Sequence, residues 1–179
     1  MDVLAMYGAY VCGAYLLADL LTGIFHWWED RYGNPAWPIL GALVVAPNIQ
    51  HHKSPSAFTK GNYFHRNWTT MVPTLTLGAL CYLTGEYFLA LTCVFMSQSN
   101  ELHCWSHMRC SYPIRLLQRT GLIQTPKMHA IHHKRPYDQN YCVMTSFLNP
   151  PLMAINYWGA LESLVGLFGV HPREERKIY

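Results

Sequence analysis

The stretch Lys127–Lys134, KMHAIHHK, constrains this chain more than any other. His129, His132 and His133 stand at i, i+3 and i+4, so on a helix the three imidazoles fall on one side. Thr125 suits an N-cap with Pro126 at N1, and Pro136 ends the segment soon after. Three imidazoles on one short helix are costly to bury unless something binds their nitrogens, and a metal ion is the usual ligand. The fold must therefore bring further ligands to this helix.

The rest of the chain offers many. Of ten histidines, only His171, beside Pro172 in the charged tail HPREERKIY, reads as an isolated surface residue. His26, His51, His52, His65, His103, His107 and the triad make nine candidate ligands. A structural zinc site takes four ligands, commonly with cysteine. Nine imidazoles exceed one ion and suit two, and imidazole serves iron, copper and zinc alike. Cys12, Cys81, Cys93, Cys104, Cys110 and Cys142 show no CxxC spacing and read as reduced, structural thiols.

Charge is scarce: 13% of residues are Asp, Glu, Lys or Arg, about half the usual share, while 51% are hydrophobic. The depletion points to lipid, and a net charge of +3 gives no case for nucleic acid. Residues 3–25 form an apolar run of membrane-spanning length, interrupted only by Asp19 and closed by Trp27 and Trp28 as interface anchors. No basic n-region or A-x-A-like cleavage site precedes it, so a removable signal peptide is not expected. Asp19, Gly23, His26 and Asp30 share one helical face; Asp19 either holds the far nitrogen of a liganding histidine or makes a helix–helix contact. Residues 39–45 are too short to span and read as re-entrant or interfacial. Around Thr84-Gly85-Glu86, residues 69–83 and 87–105 read as a transmembrane hairpin whose second arm places Asn100, His103 and His107 at i, i+3 and i+7.

Between Arg109 and Arg135 there are six basic residues and no acid, and none of the charges between Arg31 and Arg66 is acidic. The positive-inside rule puts both regions on the cytoplasmic side. The expectation is thus an all-α integral membrane protein, one domain over 1–179, with three spans (3–25, 69–83, 87–105). A cytoplasmic-side helical cap (26–68 and 106–179) holds a histidine-rich dimetal site. Within the cap, Trp158, Leu161, Leu164, Val165 and Phe168 form a stripe that fits either an interfacial helix or ordinary core packing.

HxxxD at His26–Asp30, HH at His51–His52, NxxHxxxH at Asn100–His107 and HxxHH at His129–His133 resemble the Kua-type lipid desaturases. So do D-x-x-T-G-x-x-H, from Asp19 to His26, and P-Y-x-x-x-Y-C, from Pro136 to Cys142. That family includes plasmanylethanolamine desaturase and a plant-type desaturase placing a trans-3 double bond in acyl lipids. The resemblance runs from Asp19 to Glu174, and against the family pattern the chain is short by one earlier span. It implies an O2-dependent enzyme that desaturates an alkyl or acyl chain of a membrane lipid. Two irons are implied, ligated by His26, His51, His52, His103, His107, His129, His132 and His133, with zinc a candidate substitute in purified protein. His65 enters only as a spatial candidate. Asp30 and Asn100 are expected behind the ligands, Asn100 orienting one or binding through water.

No haem-binding, flavin, nicotinamide or Fe–S motif is present. Electrons are therefore expected from a separate donor, cytochrome b5 or a ferredoxin with its reductase. Arg109, Arg115, Arg119 and Lys127 either dock that donor or a lipid headgroup, or simply report the positive-inside bias. A hydroxylase on the same metal platform and a non-enzymatic zinc protein remain the alternatives, and the oligomeric state is open.

Overall fold

The computed structural model describes residues 2–173 and is helical, with no strand among them. Helix α1 runs Val3–Arg31, with Asp2 as N-cap accepting from the Leu4 amide at 3.2 Å. It is the one described helix long and apolar enough, by length and composition, to cross a membrane. After a π-helical turn at Gly41–Val45 come α2 (Ala46–Lys53) and the single turn α3 (Pro55–Phe58). Helix α4 (Tyr63–Leu83) pairs with α5 (Tyr87–Met96) across the expected turn, where Gly85 takes φ 84°. Against the expected 19-residue second arm, the helix breaks at Ser97–Gln98 and resumes as α6 (Ser99–Trp105). His107 lies in the turn beyond α6.

Helices α1, α5 and α4 pack side by side. Tyr10 and Tyr15 of α1 meet Phe88 and Phe95 of α5 edge-on, each with centroids 5.1 Å apart. Gly78 of α4 lets α5 close in, since a Cβ there would stand 2.9 Å from that of Cys93. Large apolar side chains such as Leu4, Val72, Leu80 and Leu83 face outward along these helices. At the far end of α1 sit α2, α3, α6, α7 (Tyr112–Thr120), α8 (Pro126–His132), α9 (Asn149–Ala154) and α10 (Tyr157–Gly166). Thr125 caps α8 as expected, accepting from the Met128 amide at 3.1 Å, with Pro126 at N1.

A largely buried irregular segment, 139–148, threads between α1 and α8 and leads into α9. Side chains satisfy much of its backbone, as burial demands, and backbone groups of 121 and 124 take a further share. Gln124 and Asn149 donate to the Cys142 carbonyl at 2.6 and 2.7 Å, and the Met144 carbonyl accepts from the Gln124 amide at 2.8 Å. Of the charged tail, residues 171–173 are described. His171 is exposed, but the Arg173 amide donates to the Arg31 carbonyl at 2.7 Å and its guanidinium to those of Glu29 and Asp30. Residues 174–179 lie outside those described.

Of the expected apolar stripe, Trp158 of α10 is buried in a core with Trp27, Tyr141 and Cys142, while Leu164 and, in the turn beyond the helix, Phe168 are exposed. One part of the stripe is core packing and the other faces outward.

Candidate metal centre

Eight of the nine candidate histidines converge, and they sort into two groups. The first joins His51, His103, His107, His129 and His133; the second joins His26, Asp30, His52 and His132. Within each group, one ligand atom per residue lies within 4.8 Å of all the others. Helical spacing explains the sorting. Pairs at i, i+4 (His26 with Asp30, His103 with His107, His129 with His133) project together and serve one group. Adjacent residues diverge by about 100° on a helix, so His51 and His52 serve different groups, as do His132 and His133. Each of α2 and α8 therefore bridges both groups, and the rings of His52 and His133 meet at 4.9 Å across the divide.

The first group is held through nitrogen–nitrogen contacts. The Nε2 of His129 lies 2.9 Å from that of His103 and 3.0 Å from that of His133, and His103 and His107 approach at 3.3 Å. A single ring N–H cannot satisfy all of these. Two nitrogens each about 2.1 Å from a shared ion and at right angles to it stand roughly 3 Å apart, which matches. Burial holds His51 and His129 far below the ordinary imidazole range. Burial likewise lowers His107 to about 4 and His133 to about 2, with neighbouring histidines adding to the effect. These rings are thus neutral near pH 7 and keep a lone pair for a metal.

In the second group Asp30 stands among the imidazoles rather than behind them. Its carboxylate lies 3.0 Å from His52 Nε2, 3.3 Å from His132 Nε2 and 3.6 Å from His26 Nε2. His26 and His132 turn their Nδ1 to the carbonyls of Tyr141 (3.2 Å) and Gln139 (2.9 Å), which fixes the donating nitrogen and leaves Nε2 for an ion. Both nitrogens of His51 are buried without a hydrogen-bond partner, and His26 Nε2 and His132 Nε2 have only the Asp30 carboxylate beside them, which fits a bound cation.

The motif Asp19–His26 proves to be one side of a contact with residues 141–145. Asp19 does not reach a histidine. Its Oδ1 accepts from the Met144 amide at 2.8 Å, and its Oδ2 accepts from the Thr145 amide at 3.0 Å and hydroxyl at 2.6 Å. A Cβ on Gly23 would meet Cys142 Sγ at 2.8 Å and its Cα at 3.2 Å, so only glycine lets the segment pass. His26 then takes the Tyr141 carbonyl.

Other expectations are redirected. His65 is exposed and outside both groups, because Asn62 caps α4 through the His65 amide (2.8 Å) and turns that first-turn side chain outward. Asn100 faces α4, donating to the Arg66 carbonyl and Thr70 Oγ1, each at 2.9 Å. Arg109, Arg115, Arg119 and Lys127 are exposed, with Arg115 also donating to the Cys110 carbonyl at 3.3 Å.

Sequence reasoning passed over Asn48, which donates to Asp30 Oδ1 at 2.6 Å; its place one turn before His52 was the available signal. It also passed over Glu101, which binds Arg66 (2.8 Å), Asn67 (3.2 Å) and the Trp105 indole (3.0 Å) and so fastens α6 to α4. Its standing as the one acid between Glu86 and Asp138, four residues before Trp105, was the hint there.

Fold and site together define a helical protein with a paired, histidine-rich centre able to hold two metal ions. Residues 15–175 match the model of the lipid desaturase domain, and the chain belongs to that family. It is 33% identical over 183 residues to plasmanylethanolamine desaturase 1 of Mus musculus, covering 92% of this chain and 67% of that protein. For plasmanylethanolamine desaturase of Myxococcus xanthus the identity is 31%, over 90% of this chain and 61% of the relative. Fatty acid desaturase 4-like 1, chloroplastic, of Arabidopsis thaliana is 33% identical over 88% of this chain and 56% of its own length. The chain thus spans between 56% and 67% of these relatives. No solved structure matches it.

Proposed function

We propose that this protein is an O2-dependent membrane lipid desaturase that holds two irons and introduces a double bond into an alkyl or acyl chain. The observation that carries the reading is the pair of adjoining ligand groups, eight imidazoles and one carboxylate, in a chain of the lipid desaturase family. Bound there with O2, the irons supply the oxidising power that an unactivated C–H bond demands and no side chain possesses. The protein's own part is to hold and shield. Carbonyls of 139 and 141 orient His132 and His26, Asn48 orients Asp30, and the Phe58 ring covers His51 and His103 at 4.9 and 5.1 Å.

In this reading α1 and the α4–α5 hairpin, extended by α6, are three spans with their basic ends in the cytoplasm, which sets the centre on that side. The outward-facing apolar side chains of these helices support it. A lipid chain enters from the bilayer, while cytochrome b5 or a ferredoxin delivers electrons at the exposed Arg109, Arg115, Arg119 and Lys127. The names of the relatives favour two products, a plasmanyl-type vinyl ether and an unsaturated acyl lipid.

Lipid mass spectrometry of a host expressing the chain, against its His129→Ala variant, tests the proposal. The expected product is lighter by a pair of hydrogens and absent from the variant. A product heavier by one oxygen would instead make the protein a hydroxylase, and an unchanged product in His129→Ala, His132→Ala and His133→Ala would remove the centre assigned here. Iron in freshly purified, anaerobically handled protein is the companion measurement; zinc alone there counts against an oxidase.

A further inference from the structure

Beside the second ligand group lies a run of oxidisable rings that the proposed reaction does not use. The Tyr141 ring sits against His132 (centroids 5.3 Å) and His26 (6.0 Å), and Trp158 packs on Tyr141 at 4.9 Å. Trp158 in turn stacks on Trp27 at 6.5 Å with planes 28° apart, and touches Tyr157 at 5.1 Å. Tyr141, Trp158 and Trp27 are buried, and Tyr157 is half-buried. The series therefore leads from the ligands outward.

The hydrogen bonding grades the rings. Tyr141 donates its phenol to the Tyr137 carbonyl at 2.7 Å. A carbonyl is no base, so Tyr141 cannot shed its proton on oxidation and serves as a bridge rather than a stop. The indole nitrogens of Trp158 and Trp27 are buried without a hydrogen-bond partner. An indole needs no proton loss to be oxidised, and a stacked pair spreads the positive charge.

We propose that Tyr141, Trp158 (with Trp27) and Tyr157 form an electron relay that discharges the oxidised metal centre when it fires without substrate. This rests on the oxidase reading above. One electron passes from Trp158 across Tyr141 to the oxidised centre, leaving an indole radical cation. Tyr157 returns an electron to Trp158 and gives its phenol proton to water. A low-molecular-weight thiol then transfers a hydrogen atom to the Tyr157 phenoxyl, and two of the resulting thiyl radicals couple to a disulfide, so each cycle consumes one thiol and spares the ligands.

The test uses full-length, iron-loaded protein, metal content verified, exposed to O2 and a chemical reductant, or to hydrogen peroxide, without lipid. The readouts are the radical trapped by freezing and the oxidised residues found by peptide mass spectrometry. The expected wild-type result is a tyrosyl radical with oxidation concentrated at Tyr157 and Trp158. Tyr157→Phe, a mild change, is expected to convert the signal to a tryptophanyl radical. Trp158→Phe is expected to abolish both and raise oxidation of the peptides carrying His26, His132 and Tyr141 severalfold. Oxidation confined to the ligands in wild-type protein, with Trp158 and Tyr157 clean, overturns the relay and leaves the oxidase reading standing. No radical and no oxidation anywhere, in a protein shown to hold iron, also overturns the relay, while the lipid product remains the test of the oxidase reading.

Discussion

Asp19→Asn gives the sharpest account of how this centre is assembled, because the Asp19 carboxylate makes no hydrogen bond to a ligand residue and holds the segment 139–148 instead. Both carboxylate oxygens accept, one bond on Oδ1 and two on Oδ2. An amide keeps one oxygen. If that oxygen stays with Thr145, the new NH2 faces the Met144 amide, donor against donor. One hydrogen bond to a charged group is lost, worth about 1.5–3 kcal/mol, and a buried N–H is stranded at about 1–3 kcal/mol. The surviving pair weakens to neutral strength, so the total is about 3–6 kcal/mol, a large share of the roughly 5–15 kcal/mol that holds a domain folded.

The second consequence is local. Freeing 144–145 loosens the carbonyls of 141 and 139 that orient His26 and His132, and loss of such orienting contacts costs about 10–100-fold in metal affinity. The first group takes nothing directly from this segment and should keep its ion. The assay is denaturant unfolding together with metal titration of purified protein, with Thr145→Val as a milder variant that deletes the 2.6 Å hydroxyl bond to Asp19 and the 3.2 Å bond from the Phe147 amide but keeps both backbone bonds to the carboxylate. An unchanged unfolding midpoint with both metals at wild-type affinity would refute the reasoning; so would equal loss from both groups.

Other perturbations follow from the same geometry. His65→Ala should leave metal content and turnover at wild-type levels, whereas His51→Ala should lose an ion from the first group, read by metal analysis. Metal-free protein should lose stability on acidification. His107 and His133 sit at about 4 and about 2 when folded and near 6.5 when unfolded. The unfolded chain therefore binds more protons below pH about 6.5 and is favoured there, a trend that thermal melts at stepped pH will show or exclude. Glu101→Gln leaves the Arg66 guanidinium without its charge partner at a mostly buried site, where breaking a pair costs up to about 3–5 kcal/mol. The α4–α6 junction should then be the first to gain amide exchange.

Local rules made much of this legible. The Thr125 cap, the turn at Gly85 and the face shared by Asp19, Gly23, His26 and Asp30 rest on spacing within one element, and all are found. The division of ligands between two groups was equally local, since i, i+4 pairs and adjacent pairs point differently, but reading the triad as a single face concealed it. What spacing could not show was the partner of Asp19. Met144 and Thr145 are more than a hundred residues away in a segment without periodicity, which announces itself only by a mixture of apolar and amide-bearing residues. His65, set apart from the other histidines in sequence, is only a spatial candidate, and its place in the first turn of α4 leaves it exposed and outside both groups.

The two groups differ in one respect that matters for chemistry. The first presents five neutral imidazoles; the second presents three and the Asp30 carboxylate. A dication in the second group has half its charge compensated in a buried setting, where an opposite charge counts for more than in water. One in the first keeps its full charge and is the stronger Lewis acid. Divalent cobalt, which reports its ligands spectroscopically, should therefore fill the second group first and the first group at higher concentration. Asp30→Asn should abolish the tighter binding step and spare the weaker one, while His107→Ala should do the reverse. If Asp30→Asn leaves both steps in place, the carboxylate is not a ligand and the asymmetry between the two ions disappears with it.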